Sequence, residues 1–229
     1  MPSCVECSVR EERLFCNLGP GAVSQLDSIR QLSVYPKGSL LFVQGQAPRG
    51  VFILCAGSVK LTITSARGRS LIVRVAEAGE VLGLGAAMSN QAYDVSAETL
   101  EPTEVNFLPR EEFLGFLRKH GEVSVRVAQH LSLELQRAYQ QVTRIALAPT
   151  ARAKLAGLLV EWAAQHARPA GEGFTFPLRL THEEIAELIG SSRETVTRLL
   201  NDFRRQGAIQ IKGTLVTVPD PAKLEALLP

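Results

Sequence analysis

Two groups of residues in this 229-residue chain have types and spacings that can do chemistry. The first is a set of thiols. Cys4 and Cys7 form a Cys-x-x-Cys pair, Cys16 follows, and Cys55 lies further on; these are all four cysteines of the chain. Four thiolates suit an iron–sulfur cluster or a tetrahedral zinc ion. The same residues also leave open a thiol–disulfide switch through Cys4, Cys7 or Cys16. The second group is Arg193, Glu194, Thr197 and Arg198, which fall on one side of a segment read at about 100° per residue. An arginine offers two parallel donors to O6 and N7 of guanine, and a glutamate accepts from N4 of cytosine. The four histidines, at 120, 130, 166 and 182, show no ligand spacing.

The elements that must position the second group are legible around it. Thr181 and Glu184 have capping-box spacing, so the sequence predicts a helix starting at Thr181. Ile185, Leu188 and Ile189 form its apolar stripe, and Gly190 ends it. Ser191 or Ser192 opens the next helix, with Ser191 and Glu194 as a second candidate capping box. On that helix Val196, Leu199, Leu200 and Phe203 face the core, opposite the arginines. Ser191, Ser192, Thr195 and the helix N-terminus are placed to hold phosphates. Residues 208–218 alternate like two strands around Lys212-Gly213. A helix-turn-helix followed by a hairpin is a winged helix.

The rest of the chain reads as a sensor region and a connecting helix. Residues 1–18 carry three cysteines, and Gly21–Leu32 reads as a short helix. Short apolar strands follow at Leu40–Val43, Val51–Leu54, Ser58–Thr64, Ser70–Val75, Val95–Glu98 and Glu104–Leu108. Their spacing predicts an antiparallel roll or sandwich over 19–120. After a helix at Pro109–Lys119, a long one runs from Gly121 to Leu147. Its stripe of Val123, Val127, Leu131, Leu135, Ala138, Val142 and Ile145 steps by fours and threes, as a two-stranded coiled coil needs. The expectation is a dimer helix over 121–148, a boundary at Pro149, and a DNA-binding domain over 149–229. Another helix, Ala151–His166, and a short strand at Phe174–Arg179 lead into the helix-turn-helix.

Bulk properties narrow the partners. A net charge of +2 provides no basic tail for indiscriminate nucleic-acid binding. Residues 191–213 are locally basic, with Arg193, Arg198, Arg204, Arg205 and Lys212 against Glu194 and Asp202. No apolar run is long enough to cross a bilayer, and no signal-peptide pattern opens the chain, so a cytoplasmic protein with no membrane partner is expected. In that compartment clustered cysteines favour metal or redox roles over structural disulfides. Walker-type glycine loops, Gly-x-Ser-x-Gly and His-Glu-x-x-His are absent, which argues against an enzyme. An adaptor whose winged helix binds protein would not need two arginines aimed from one face.

In layout the chain resembles the CRP/FNR superfamily of bacterial transcription regulators, through Ser192-Arg-Glu-Thr-Val-Thr-Arg198 and Gly79-Glu-Val-Leu-Gly83. The resemblance implies an α+β fold: an N-terminal cyclic-nucleotide-binding-like β-roll, a long dimerisation helix and a C-terminal winged helix-turn-helix. It implies a homodimer on palindromic double-stranded DNA, with RNA polymerase as a further partner. Arg193, Glu194 and Arg198 match base-reading positions, which implies TGA-containing half-sites, TGTGA-like because Arg193 is present. An Arg-Ser pair holds the cyclic AMP phosphate in one branch; here the matching positions are Tyr93 and Asp94, so the usual cyclic AMP mode is not expected. The cysteine-bearing FNR-like branch is the nearest in layout. It implies a [4Fe–4S] cluster on Cys4, Cys7, Cys16 and Cys55, sensing oxygen or redox state. The spacing from Cys7 to Cys16 is wider than usual there. Its other fourth-cysteine position falls near Asn106, so Cys55 must reach the N-terminal segment from an earlier strand.

Overall fold

A computed structural model describes residues 3–13, 15–147, 150–166, 168–170 and 173–227. It separates into two compact units, residues 1–138 and 139–229. The division falls inside the long helix, not at Pro149, which itself lies outside the described residues.

The first unit is an antiparallel roll flanked by helices. A 3-10 turn at Arg10–Glu12 precedes helix α1 (Pro20–Ile29). The strands are β1 (Gln31–Tyr35), β2 (Leu40–Phe42), β3 (Gly50–Ala56), β4 (Ser58–Thr64), β5 (Ser70–Glu77), β6 (Val81–Leu82), β7 (Ser96–Thr99) and β8 (Thr103–Pro109). Helix α2 (Leu84–Ser89) lies between β6 and β7. The strands form two sheets, ordered β1-β8-β3-β6 and β2-β7-β4-β5. The sequence reading extended the first helix to Leu32, but it ends at Ile29, and Gln31–Tyr35 pairs with β8 instead. Leu32 and Val34 alternate as a strand, and the β8 edge offers them a ladder that helix continuation would forgo.

Side chains alternate along β3, so its two faces feed two cores. Val51 and Ile53 join Leu108, α1 and helix α3 (Arg110–Lys119) in one cluster, which includes Phe15, Phe113 and Phe116. Phe52 and Leu54 join Phe42, Tyr93 and Val105 in the other. The β3–β8 ladder is regular until Leu54–Val105, then skips Cys55 and resumes at Ala56–Glu104. Cys55 is thus the extra residue of a β-bulge, a device that re-aims a side chain.

Helix α4 (Gly121–Leu147) has two apolar faces, and this corrects the expected dimer stripe. Val123 and Val127 are buried in their own unit, and Leu131 packs against the same core. His130 is also buried, its Nε2 accepting from the Val81 amide at 3.2 Å. Nearby, Arg74 bridges Glu80 (2.8 Å) and Glu134 (3.3 Å), and Arg137 also pairs with Glu80. The stripe left exposed is Val125, Ala128, Ser132, Leu135, Tyr139 and Val142, again stepping by three and four. Leu135 and Val142 of the expected set belong to it. Ala138 is exposed beside it, and the side chain of Ile145 lies outside the described residues.

The second unit holds α5 (Ala151–His166), β9 (Arg168–Ala170), β10 (Gly173–Pro177), α6 (His182–Ile189), α7 (Arg193–Arg205), β11 (Gln210–Lys212), β12 (Leu215–Val218) and α8 (Pro221–Glu225). Its sheet runs β11-β12-β10-β9. The capping box of α6 is complete: Thr181 Oγ1 accepts from the Glu184 amide at 3.2 Å, and the Glu184 carboxylate accepts from the Thr181 amide at 2.9 Å. Gly190 ends α6 in the left-handed region at φ 65°, which glycine adopts without a Cβ clash. The cap of α7 is Ser192, not Ser191, accepting from the Thr195 amide at 3.2 Å. Thr181→Ala is expected to lower the stability of the second unit by about 1 kcal/mol, because the Glu184 amide loses its side-chain acceptor. Chemical denaturation of the full chain, followed by hydrogen exchange in α6, checks this.

Candidate nucleic-acid interface and thiol site

Helix α7 buries Val196, Leu199, Leu200 and Phe203, which fixes its rotation. The opposite face presents Arg193, Glu194, Arg198 and Asn201 to solvent. With Thr197, Arg204, Arg205, Ile209, Gln210 and Ile211 they line an open groove of about 1150 Å³. Among the described residues no salt bridge engages Arg193 or Arg198, so both forks are available to an incoming acceptor. The Glu194 carboxyl is held below its usual pKa by its own backbone amide and then by Ser192, so it enters as an acceptor. Thr197 is half-buried and meets His182 Nδ1 at 2.8 Å, which ties the reading face to α6. Ser191 and Thr195 are half-buried and Ser192 is exposed, at the α7 N-terminus where phosphate would lie. Sequence reasoning placed the arginines but not the wing's share of the groove, Gln210 and Ile211, which only the β11–β12 fold-back brings there.

In the roll, the expected anion position is filled. Tyr93 is buried and stacks on Phe42 with ring centroids 4.1 Å apart. Its hydroxyl donates to the Gly50 carbonyl at 3.0 Å and accepts from the Arg49 amide at 3.3 Å. Gly83, left-handed at φ 79°, lies so close that a Cβ there would sit 3.0 Å from the Tyr93 ring. Asp94 is exposed. The pair supplies no cation and a committed phenol.

The cysteine segment folds against the roll. The Cys4 amide donates to Asp27 Oδ1 at 2.6 Å, and Arg13 Nη2 donates to the Cys55 carbonyl at 2.8 Å. Cys4 and Cys16 pack against the core cluster of Phe15 and Ile53. Cys55 does reach the N-terminal segment: Asn106 Nδ2 donates to Cys55 Sγ at 3.2 Å and to Cys4 Sγ at 3.6 Å. All four thiols are free and half-buried. Among the described residues no group of three or more His, Cys, Asp or Glu side chains is placed to hold a metal ion.

Burial dominates the electrostatics of these thiols. It pushes Cys4 up to about 11, against the opposing pull of Arg30. It pushes Cys16 up to about 12, helped by Cys55 and opposed by Arg13. Cys55 is raised by burial as well, again opposed by Arg13. Asp27 is held below the usual carboxylate value, first by the Cys4 amide. The roles of Asn106, Asp27 and Arg30 carry no local sequence motif; strand register brings them to the thiols.

The fold and the exposed reading helix define a DNA-binding transcription regulator, not an enzyme. Residues 153–227 match the Crp-like helix-turn-helix domain, and residues 32–120 match the cyclic nucleotide-binding domain. The cyclic AMP receptor protein of Thermus thermophilus is 29% identical over 93% of this chain and 95% of its own length. The global nitrogen regulator of Synechocystis sp. is 28% identical over 84% of this chain and 86% of its own. The structure of FixK2 from Bradyrhizobium japonicum has the same fold, with a TM-score of 0.77 at 20% identity, covering 88% of this chain and 98% of that one. The chain belongs to the CRP/FNR family of transcription regulators, with a cyclic nucleotide-binding-like domain and a Crp-like helix-turn-helix.

The raised thiols predict an alkaline limit to stability. The Cys16 thiol keeps its proton in the folded protein up to about pH 12, whereas an ordinary thiol loses it near 9.0. Its contribution is therefore complete below pH 9.0 and drains away as pH rises through 12. Metal-free protein is expected to lose stability across this window, and Cys16→Ala to flatten that part of the curve. Thermal melts at stepped pH measure both.

Proposed function

We propose that the chain is a homodimeric, cytoplasmic regulator of palindromic DNA that reads oxygen or redox state through an iron–sulfur cluster. Cys4, Cys7, Cys16 and Cys55 would hold it as thiolates. The observation carrying this reading is the meeting of Cys4 and Cys55 at one Asn106 amide. The donor set fits. Four thiolates are the donor types such a cluster takes, although among the described residues no group of His, Cys, Asp or Glu side chains stands ready to hold a metal ion. Burial that keeps Cys4 and Cys16 protonated makes them slow nucleophiles, which weighs against a simple thiol–disulfide switch through those two. Bound there, the group supplies an oxygen-labile crosslink. The chain's own part is to surrender thiol protons on loading, so uptake strengthens as pH rises. Cyclic AMP is not the effector in this reading, because Tyr93 occupies the anion position with its hydroxyl engaged.

On the output side, Arg193, Glu194, Thr197 and Arg198 would read base edges of TGTGA-like half-sites, while Ser191, Ser192 and Thr195 hold phosphates. The exposed stripe of Val125, Leu135, Tyr139 and Val142 supports dimerisation along α4, and a dimer supports two half-sites about one helical turn apart. RNA polymerase is the expected further partner. Arg198→Ala is expected to cost about 1–3 kcal/mol of discrimination at one base pair per half-site. Leu135→Glu is expected to sediment as a monomer and to protect no palindrome. Unchanged selectivity in Arg198→Ala footprints overturns the readout.

The input is tested by purifying the full chain without oxygen and reconstituting it with iron and sulfide. A brown protein with matched iron and sulfide, bleached by air, is expected. A colourless protein rules out the cluster, and zinc in equal amount with the chain would favour the single-ion alternative.

A further inference from the structure

We infer that His182 is a positioning residue of the reading helix: it holds the Thr197 hydroxyl away from the groove, so that Thr197 presents its methyl group and selects thymine at one position of each half-site. The inference rests on the base-readout reading above and adds to it the group that Thr197 brings to the bases.

A threonine on a reading helix has two ways to touch DNA. Its hydroxyl can hydrogen-bond a base edge, and its methyl can pack on the C5 methyl of thymine in the major groove. Which of the two faces the bases is set by χ1. A helical threonine divides between two rotamers, because its Oγ1 can bond a carbonyl one turn back. Thr143 on α4 takes that option, its Oγ1 donating to the Tyr139 carbonyl at 2.9 Å. Thr197 has a different partner among the described residues: its Oγ1 meets His182 Nδ1 at 2.8 Å. A hydroxyl and an imidazole nitrogen can each give or accept, so either atom can supply the proton. In both cases the oxygen is turned toward α6.

His182 opens α6 and is not among the residues that line the groove, whereas Thr197 is. With the oxygen directed at a residue outside the groove, the methyl is the substituent of Thr197 left to face into it. Both ends of the contact are fixed. Val196 and Leu200, on either side of Thr197, are buried and set the rotation of α7. Thr181, next to His182, is locked in the capping box that starts α6. The Ser191 amide donates to the Ala186 carbonyl at 2.8 Å, which closes the turn between the two helices. Without His182 the hydroxyl is free to turn back to its own helix, and the methyl turns with it.

The test uses the full chain and a palindromic duplex that it selects from a random pool, with each thymine replaced in turn by deoxyuridine. That exchange removes one methyl group and leaves the hydrogen bonds of the base pair in place. Wild type is expected to bind about fourfold more weakly when one particular thymine of a half-site is replaced, the worth of one buried methyl. Thr197→Val keeps a methyl on the branched carbon and is expected to keep this penalty. Thr197→Ser keeps the hydroxyl, lacks the methyl and is expected to lose it. His182→Ala is expected to shrink the penalty, and His182→Asn, whose amide can stand where Nδ1 does, to restore it. Weaker binding of His182→Ala to every duplex alike, with the penalty intact, overturns the positioning role. A Thr197→Ser chain that keeps the penalty overturns the inference, as does a wild type that selects a palindrome but shows no penalty at any thymine. These results leave the base-readout reading standing. A wild type that selects no palindrome overturns that reading and this inference with it.

Discussion

The pairing of β3 with β8 is the constraint on which the sensor unit depends. Alternation along β3 sends Val51, Ile53 and Cys55 to one side and Phe52 and Leu54 to the other. On β8 the same alternation separates Asn106 and Leu108 from Val105 and Phe107. One ladder thus builds two interiors. The inner one is aromatic and closes around Tyr93. The outer one meets α1, α3 and the cysteine segment. A one-residue slip would exchange the two sets, placing Asn106 against Tyr93 and removing Cys55 from the other thiols.

The thiols sit where an apolar core and a few cations compete. Burial favours the neutral thiol at Cys4, Cys16 and Cys55, while Arg13 and Arg30 favour the thiolate. Burial wins in each case. Thiols of this kind are quiet alone, and they become strong ligands once a cation takes the place of the proton. Redox selectivity follows from the same balance: a reagent that needs a free thiolate finds little of it at neutral pH.

Much of this was legible from residue order, and the exceptions have identifiable causes. Thr181, Glu184 and Gly190 announce α6 because caps are local chemistry, and they stand as expected. Ser192 displaces Ser191 as the α7 cap because Ser191 already donates its amide to Ala186 in closing α6. Strand β1 was hidden because Leu32 also fits the apolar spacing of the preceding helix, and only pairing with β8 decides between the two. The α4 stripe was displaced for a related reason. Val123, Val127 and Leu131 are the more hydrophobic series, and the unit's own core takes them. What remains for a partner is the series with Ala128 and Ser132 in it, which hydrophobicity alone ranks second. For the thiol site the cysteines themselves were visible, but Asn106, Arg30 and Asp27 were not. They are ordinary polar residues until the register sets them around two sulfurs.

The same geometry supplies a short mechanical path from the thiols to the helix. Three residues beyond Cys16, the Gly19 amide donates to the Glu122 carboxylate at 3.2 Å, in the first turn of α4. Two turns further on, His130 accepts from Val81, and Arg74 and Arg137 gather Glu80 and Glu134 around it. Helix α4 is therefore held to the roll at its start by the cysteine segment and further along by the turn before β6. The core-facing residues Val123 and Val127 lie between these ties, on the side opposite the exposed stripe. Any rearrangement at Cys16 that moves Gly19 acts on the end of a helix whose rotation fixes where Leu135 and Tyr139 point. In a coiled coil that rotation decides whether two copies mesh, because knobs fit holes only when the stripes face each other. A small change at the thiols need not travel through the interior of the roll; it has a direct purchase on the start of α4.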